Sequence, residues 1–95
     1  MADPTLLVLA SLADGDKHGY AIMTDVREFA GVALGPGSLY GAITRLEARG
    51  LIKALSPGER RQPYRLTPAG RAHLKAQLAG LEPIVRIGAR RLRQA

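Results

Sequence analysis

Residues 35–52 have the sequence GPGSLYGAITRLEARGLI, and this stretch is the most informative part of the chain about its fold. The opening Gly-Pro-Gly run is typical of a tight connection between two elements. Ser38 follows it and can cap a helix that runs through Ala48 or Arg49, and Gly50 is suited to end that helix. The stretch therefore predicts a turn, a helix and the start of a strand.

The predicted helix has two different faces when it is projected at about 100° per residue. Leu39, Ile43 and Leu46 form one stripe, which must face a core. The other side carries small and hydrogen-bonding residues, namely Ser38, Gly41, Thr44, Arg45 and Ala48, with Tyr40 and Glu47 on a flank. Such a face fits a DNA major groove, because small residues let the backbone approach while polar ones reach phosphates or base edges. An ordinary solvated helix explains the same pattern equally well, so the helix alone leaves both interpretations open.

Two more helices are predicted upstream. The first starts at Asp3-Pro4, has apolar residues around most of its circumference and ends in the Asp14-Gly15-Asp16 turn. The second runs from His18 or Gly19 to Phe29 and stops at Gly31. Because a short glycine-containing connection joins the second helix to the third, the pair has the pattern of a helix-turn-helix.

A β-hairpin is predicted downstream, with strands at residues 51–55 and 63–66 and a polar tip between them. Pro63 lacks a ladder donor and is expected at an edge or a non-bonded position. Arg60 and Arg61 lie in the tip, where guanidinium groups suit a minor groove or phosphates. A lone pair of charges is more often a solubilising loop, but beside a helix-turn-helix the DNA interpretation is favoured.

The last predicted helix opens at Thr67-Pro68. Its apolar residues recur in steps of four, three and four and form a leucine seam: Leu74, Leu78, Leu81 and Val85. Such a seam usually meets another helix, which indicates a homodimer. Pro83 removes a backbone donor, so a kink or a break is expected there. Residues 84–95 are basic and amphipathic.

Composition excludes several classes of protein. With 95 residues, 46% of them hydrophobic and only 4% aromatic, the chain can close one modest core that suits packed helices, so the fold class is mostly α with a small β-hairpin. The absence of Cys gives no sign of an oxidising compartment. The longest apolar run, residues 6–10, is far too short to span a bilayer, and no charged leader precedes it. A cytoplasmic protein without membrane contact is expected.

No catalytic or metal-binding pattern stands out. His18 and His73 have no carboxylate or thiol at ligand spacing, and His18 is expected to open the second helix instead. There is no nucleophile elbow, no phosphate-binding glycine motif and no acid pair. We therefore expect no enzyme activity, no catalytic residue, no metal and no cofactor.

Charge is distributed unevenly along the chain, which has a formal net charge of +6. Residues 1–30 carry five acidic and two basic side chains, a net of −3, whereas the rest carries twelve basic and three acidic side chains, a net of +9. A one-sided basic field is typical of a polyanion binder, although a merely solvated basic surface has the same signature.

Three strings together resemble the PadR family of bacterial transcriptional regulators: HGYAIMTDV at 18–26, GPGSLYGAITRLEARGLI at 35–52 and YRLTPAGR at 64–71. The resemblance implies a winged helix-turn-helix domain over residues 1–67 and a C-terminal dimerisation helix over residues 68–95. Pro83 and the short basic tail depart from the longer uninterrupted helix of relatives. They leave the dimer geometry open.

The resemblance also implies a function, a sequence-specific repressor that binds double-stranded DNA at a pseudo-palindromic operator as a homodimer. The residues assigned to DNA are Tyr20, Ser38, Tyr40, Thr44, Arg45, Arg60 and Arg61, and the leucine seam is assigned to the dimer. Core packing with an exposed hydroxyl is the alternative for Tyr20 and Tyr40. Some relatives bind phenolic or planar hydrophobic effectors between subunits, and that expectation is carried over although the seam has no Trp.

Two other functions compete with DNA binding. Winged helices also serve as protein-interaction modules, and an apolar helix seam can bind a foreign helix. The basic tail from Ile84 onwards could instead associate with a membrane surface, which rests on amphipathicity alone.

Overall fold

The apolar stripe of the third helix lies at the centre of the core. The computed structural model describes residues 3–58 and 61–94, and in it Leu39, Ile43 and Leu46 are each at most 2% exposed. Helix α3 (Pro36–Ala48), which carries them, packs against α1 (Pro4–Leu12) and α2 (Gly19–Ala30). Helix α1 also contacts the C-terminal helix, so it is buried on most sides as its sequence predicted.

The start of α3 differs from the prediction. The helix begins at Pro36, with Gly35 in the capping position and no side chain in the capping role, so the prediction that Ser38 caps it is wrong. Proline is pre-set for the first helical position, which lets the helix start three residues earlier and places Ser38 in its first turn. The end is as predicted: Gly50 is left-handed at φ 71°, and the Leu51 N–H donates to the Leu46 carbonyl at 3.0 Å.

Three short strands form an antiparallel sheet in the order β1-β3-β2. The predicted hairpin is present as β2 (Ile52–Ala54) and β3 (Pro63–Leu66). Strand β1 (Lys17–His18) was not predicted, since two residues are too few to show a period. It makes β3 the central strand, so the expected edge placement of Pro63 is wrong. Pro63 is instead the first residue of β3, another position where proline is tolerated, and its carbonyl accepts from Leu55 N at 2.9 Å.

Polar bonds join the α1–α2 turn to the sheet and to α2. Arg65 on β3 donates from Nε and a terminal nitrogen to the two carboxylate oxygens of Asp16, at 3.0 and 2.8 Å. The buried Ser11 of α1 donates to Asp25 of α2 at 2.8 Å. Lys17 bonds to Asp14 and to the Ser11 carbonyl. These contacts link the turn to β3 and α1 to both α2 and β1.

Helix α4 (Pro68–Gln94) is tied to the end of α3 at its first turn. The Thr67 hydroxyl accepts from Gly70 N at 3.0 Å, as a capping residue does, and donates to the Gly50 carbonyl at 2.7 Å. Gly70 is required by close packing, because a Cβ there would lie 1.9 Å from the Leu51 carbonyl oxygen. The Thr-Pro-Ala-Gly string thus places α4 against the root of the hairpin.

Most of α4 extends beyond the core. Gly70 and Leu74 are its buried residues, so Leu74 packs inside its own chain and the exposed part of the leucine seam begins at Leu78. The helix is continuous from residue 68 to residue 94, so the alternative of a break at Pro83 is wrong, while a kink stays a prediction. The predicted fold class is confirmed: the chain is mostly helical, with a small sheet, in the arrangement of a winged helix-turn-helix.

Candidate nucleic-acid interface

The outer face of α3 carries its predicted polar residues in exposed positions, with Ser38, Thr44 and Arg45 all accessible. The Thr44 hydroxyl donates to the Tyr40 carbonyl at 2.9 Å, which leaves its lone pairs available to an external donor. Arg45 runs back along the helix, with a terminal nitrogen 3.5 Å from where a Cβ of Gly41 would lie. The small residue at 41 therefore gives the arginine room to lie flat on the helix surface.

Tyr40 stands at the junction of α3 and α2. Its ring is 49% exposed, and its hydroxyl lies directly over Gly19, where a Cβ would be 2.5 Å from the hydroxyl oxygen. Gly19 itself is buried at the start of α2. The Gly-Tyr pair of the HGY string and the Tyr of the SLY string thus meet in space, because the glycine leaves room for the second tyrosine.

Tyr20 projects from the first turn of α2 and is 73% exposed. Core packing therefore does not account for its ring. Together with Tyr40 it flanks a pocket of about 270 Å³, which is also lined by His18, Gly19, Arg61 and Gln62. The aromatic rings give this pocket apolar walls, and hydroxyls, an imidazole and a guanidinium supply its polar groups.

The hairpin reaches this pocket from the sheet side. Gln62 fastens its base by donating to the carbonyls of Leu55 and Pro63, at 2.6 and 3.0 Å. Nearer the tip, Gly58 N donates to the Arg61 carbonyl at 2.9 Å. The Arg61 side chain points back to the start of α2, where its terminal nitrogen lies 3.0 Å from His18 Nε2. Arg60, the other predicted wing residue, lies outside the described residues.

His18 opens α2 as expected. It occupies the capping position, and its Nδ1 lies 3.3 Å from Ala21 N. Its other ring nitrogen faces Arg61, so one side chain touches both the helix start and the hairpin. Sequence patterns had no means of finding this contact, because the two residues are 43 positions apart.

Several charges near the sheet are already paired. The Arg65 guanidinium donates to Asp16 and holds the pKa of that carboxyl below its usual value, and the same contact raises the pKa of Arg65. The bond from Lys17 likewise lowers the pKa of Asp14. In contrast, neither Arg45 nor Arg61 pairs with a carboxylate anywhere in residues 3–58 or 61–94. Among the described residues, therefore, no carboxylate forms a salt bridge that an external anion would have to displace from these two cations.

The second candidate surface lies on α4. Leu78, Leu81 and Val85 are 50, 41 and 68% exposed, and Ile84 beside them is also exposed. A contiguous apolar face of this kind on a projecting helix is typical of a protein–protein contact.

Within residues 3–58 and 61–94, His, Asp and Glu nowhere gather in threes at a spacing that could hold a metal ion. No helix in the described part of the chain combines the length and apolarity that crossing a bilayer demands.

Comparison with known proteins agrees with this architecture. Residues 8–76 match the model of the transcriptional regulator PadR-like family. The chain is 39% identical over 84 residues to the transcriptional regulator Rv3488 of Mycobacterium tuberculosis, covering 85% of this chain and 78% of that protein. It also resembles the crystal structure of a PadR family transcription regulator from Clostridium difficile R20291, with a TM-score of 0.85, 28% identity and coverage of 96% of this chain and 99% of that one.

A further relative has a similar sequence within a longer protein. An uncharacterized 37.1 kDa protein in transposon TN4556 of Streptomyces fradiae is 50% identical over 84 residues, which cover 82% of this chain but only 24% of that protein. The matched family and the regulators among these relatives act in transcription and are not enzymes. The chain belongs to the PadR-like family of transcriptional regulators.

Proposed function

We propose that this protein binds double-stranded DNA sequence-specifically and represses transcription by occupying an operator. The observation that carries the proposal is the position of Arg61 on the hairpin beside the exposed face of α3, with neither Arg61 nor Arg45 paired to a carboxylate of the described residues. A protein with this function acts in the cytoplasm, where bacterial DNA lies.

The two elements would make different contacts. Helix α3 would enter the major groove with Ser38, Thr44 and Arg45 towards phosphates or base edges, since its small residues allow close approach. The hairpin would lie along the backbone or the neighbouring minor groove, where Arg61 donates to phosphates. Tyr20 and Tyr40 would border the DNA between these two contacts.

A homodimer is the second part of the proposal. Residues 1–67 would form the DNA-binding unit and residues 68–95 the dimerisation helix, with Leu78, Leu81 and Val85 meeting the same face of a second copy. Burying that face removes apolar area from water, which is the main driving force for association. A two-fold dimer presents two copies of α3, so its operator would be a pseudo-palindrome.

DNA binding is tested by measuring duplex affinity across a range of salt concentrations. Affinity should fall on a log-log plot with a slope of about 0.9 for each phosphate neutralised. Arg45→Ala should lose either operator preference or about one phosphate's share of that slope. Arg86→Ala is the matched control, because it removes one arginine from α4 that pairs with Glu82. Equal behaviour of the two variants would contradict the placement of α3 in the groove.

The operator is found by selecting bound fragments from random and genomic DNA. Enriched sequences should contain two inverted half-sites at a constant spacing. A reporter gene placed behind such a site should fall in expression when the protein is present. Enrichment of single, unpaired half-sites would count against the dimer while leaving DNA binding in place.

The exposed apolar face of α4 also favours a second candidate function, a protein-interaction module. A foreign amphipathic helix could lie on this face in the way a second copy would. This function predicts a monomer in solution, no salt-dependent duplex binding and co-purification with one constant partner.

A further inference from the structure

Two hydrogen-bond donors contact the ring of His18, but a neutral imidazole can accept from only one of them. Ala21 N lies 3.3 Å from Nδ1, and a terminal nitrogen of Arg61 lies 3.0 Å from Nε2. A neutral imidazole carries a proton on one ring nitrogen and a lone pair on the other, so it can accept only one of these bonds. Satisfying Arg61 therefore excludes the bond to the helix start.

The contact with Arg61 is the stronger of the two. It is the shorter one, and its donor is ionised, which makes such a bond about twice as strong as a neutral one. The bond from Ala21 is longer and belongs to the first turn of α2, where water can replace a missing cap. The tautomer with the proton on Nδ1 is thus favoured, and its Nε2 lone pair accepts from Arg61.

This bond restrains the Arg61 side chain but uses only one of its hydrogen-bond donors. A guanidinium has five N–H donors, and His18 accepts one of them, so the remaining four can still reach a phosphate. An unrestrained arginine side chain carries about 2 kcal/mol of rotamer entropy that it would lose on binding. Holding the side chain beforehand lowers that loss and directs the guanidinium into the pocket between Tyr20 and Tyr40.

We propose that His18 is a positioning residue for DNA binding, which sets the direction of the wing arginine Arg61 through its Nε2 lone pair. The role rests on the DNA-binding function proposed above. His18 itself need not touch the DNA, and its effect should vanish when Arg61 is absent.

Two substitutions separate the two bonds of His18. Asn places its side-chain oxygen near the position of Nδ1 and is among the best helix-capping residues, but it is too short to reach Arg61. Gln places its oxygen near the position of Nε2, so it can accept from Arg61. His18→Asn should therefore cap the start of α2 but lose the bond from Arg61. His18→Gln should retain the bond from Arg61.

The test measures operator affinity for wild type, His18→Asn, His18→Gln, Arg61→Ala and the His18→Asn/Arg61→Ala double variant, with thermal melting to verify folding. We expect His18→Asn to weaken binding roughly fivefold at a melting temperature no lower than that of wild type, because Asn caps α2. We expect His18→Gln to stay within about twofold of wild type. In the Arg61→Ala background, His18→Asn should have no further effect.

Three results would overturn the role of His18: wild-type affinity in His18→Asn, equal losses in the Asn and Gln variants, or the same loss with and without Arg61. A wild-type protein that binds no duplex at low salt is a different result. It would reject the proposed function first and the positioning role with it.

Discussion

The Tyr40 hydroxyl occupies the space that a side chain at Gly19 would need. A Cβ at position 19 would lie 2.5 Å from the hydroxyl oxygen, 3.0 Å from the ring carbon that bears it and 3.3 Å from a methyl of Leu39. The start of α2 and the first half of α3 are therefore in direct contact close to the hairpin. A glycine in the HGY string is the condition for that contact.

Gly19→Ala should displace the Tyr40 ring towards solvent. Because the ring is already half exposed, we expect a loss of about 1 kcal/mol in the free energy of unfolding, but a several-fold loss of DNA affinity. Duplex binding and urea denaturation measure the two effects. If the glycine acts through the tyrosine, Gly19→Ala should cause no further loss of affinity in a Tyr40→Ala background; additive losses would contradict this explanation.

Gly70→Ala should be far more damaging. The new Cβ would lie 1.9 Å from the Leu51 carbonyl oxygen. That oxygen belongs to the backbone and accepts a hydrogen bond from Thr67 N at 3.1 Å, so it cannot move aside as a flexible side chain could. We expect a loss of about 3 kcal/mol in unfolding free energy, measured by urea denaturation at a constant protein concentration. Gly80→Ala in the same helix is the control: no atom lies within 4 Å of its Cβ, and it should gain about 0.5–1 kcal/mol.

Acid should weaken the tie between Asp16 and Arg65. The pKa of Asp16 is lowered from its usual 3.8, so its contribution to stability is present above that pH and is lost as the pH falls through the lowered value. Asp16→Asn should therefore melt below wild type at pH 7, and the gap should close in more acidic solution. Glu28→Gln removes one exposed carboxylate as a control. A gap that persists unchanged at acidic pH would show that the bond strength does not depend on the carboxylate charge.

Leu78→Asp should dissociate the proposed dimer, because the interface would bury a charge without a partner. Light scattering at micromolar concentration should then give the mass of one chain, where wild type gives two. Ala76→Asp is the matched control, since it introduces the same charge about 200° around the helix, on the other side of α4. A wild-type monomer at this concentration would refute the dimer directly.

Local sequence patterns predicted much of the architecture. Asp3-Pro4 and Thr67-Pro68 each combine a capping side chain with a proline suited to a helix start, and both helices begin where predicted. The stripe of Leu39, Ile43 and Leu46 identified the buried side of α3 because helical periodicity is a local property. The prediction that Ser38 caps α3 was wrong, since Pro36 supports an earlier start with Gly35 in the capping position.

These local patterns could not predict contacts between residues that are far apart in the sequence. Strand β1 is two residues long and forms because it pairs with β3. This pairing makes β3, the strand that contains Pro63, the central strand of the sheet. Leu74 has the spacing of a dimer seam, yet it lies in the core of its own chain, because the close approach at Gly70 brings the first turns of α4 against the hairpin root. Spacing defines a face of a helix but not the surface that covers it.

The order of the helices and the hairpin, the buried side of α3 and the family all follow from local features of the sequence, namely capping residues, periodicity and contiguous strings. The contact of Tyr40 with Gly19 and that of Arg61 with His18, 43 positions away, appear only in the folded chain. Such contacts depend on how α2, α3 and the hairpin are oriented. That orientation follows from packing the whole core and from ties such as the one between Asp16 and Arg65.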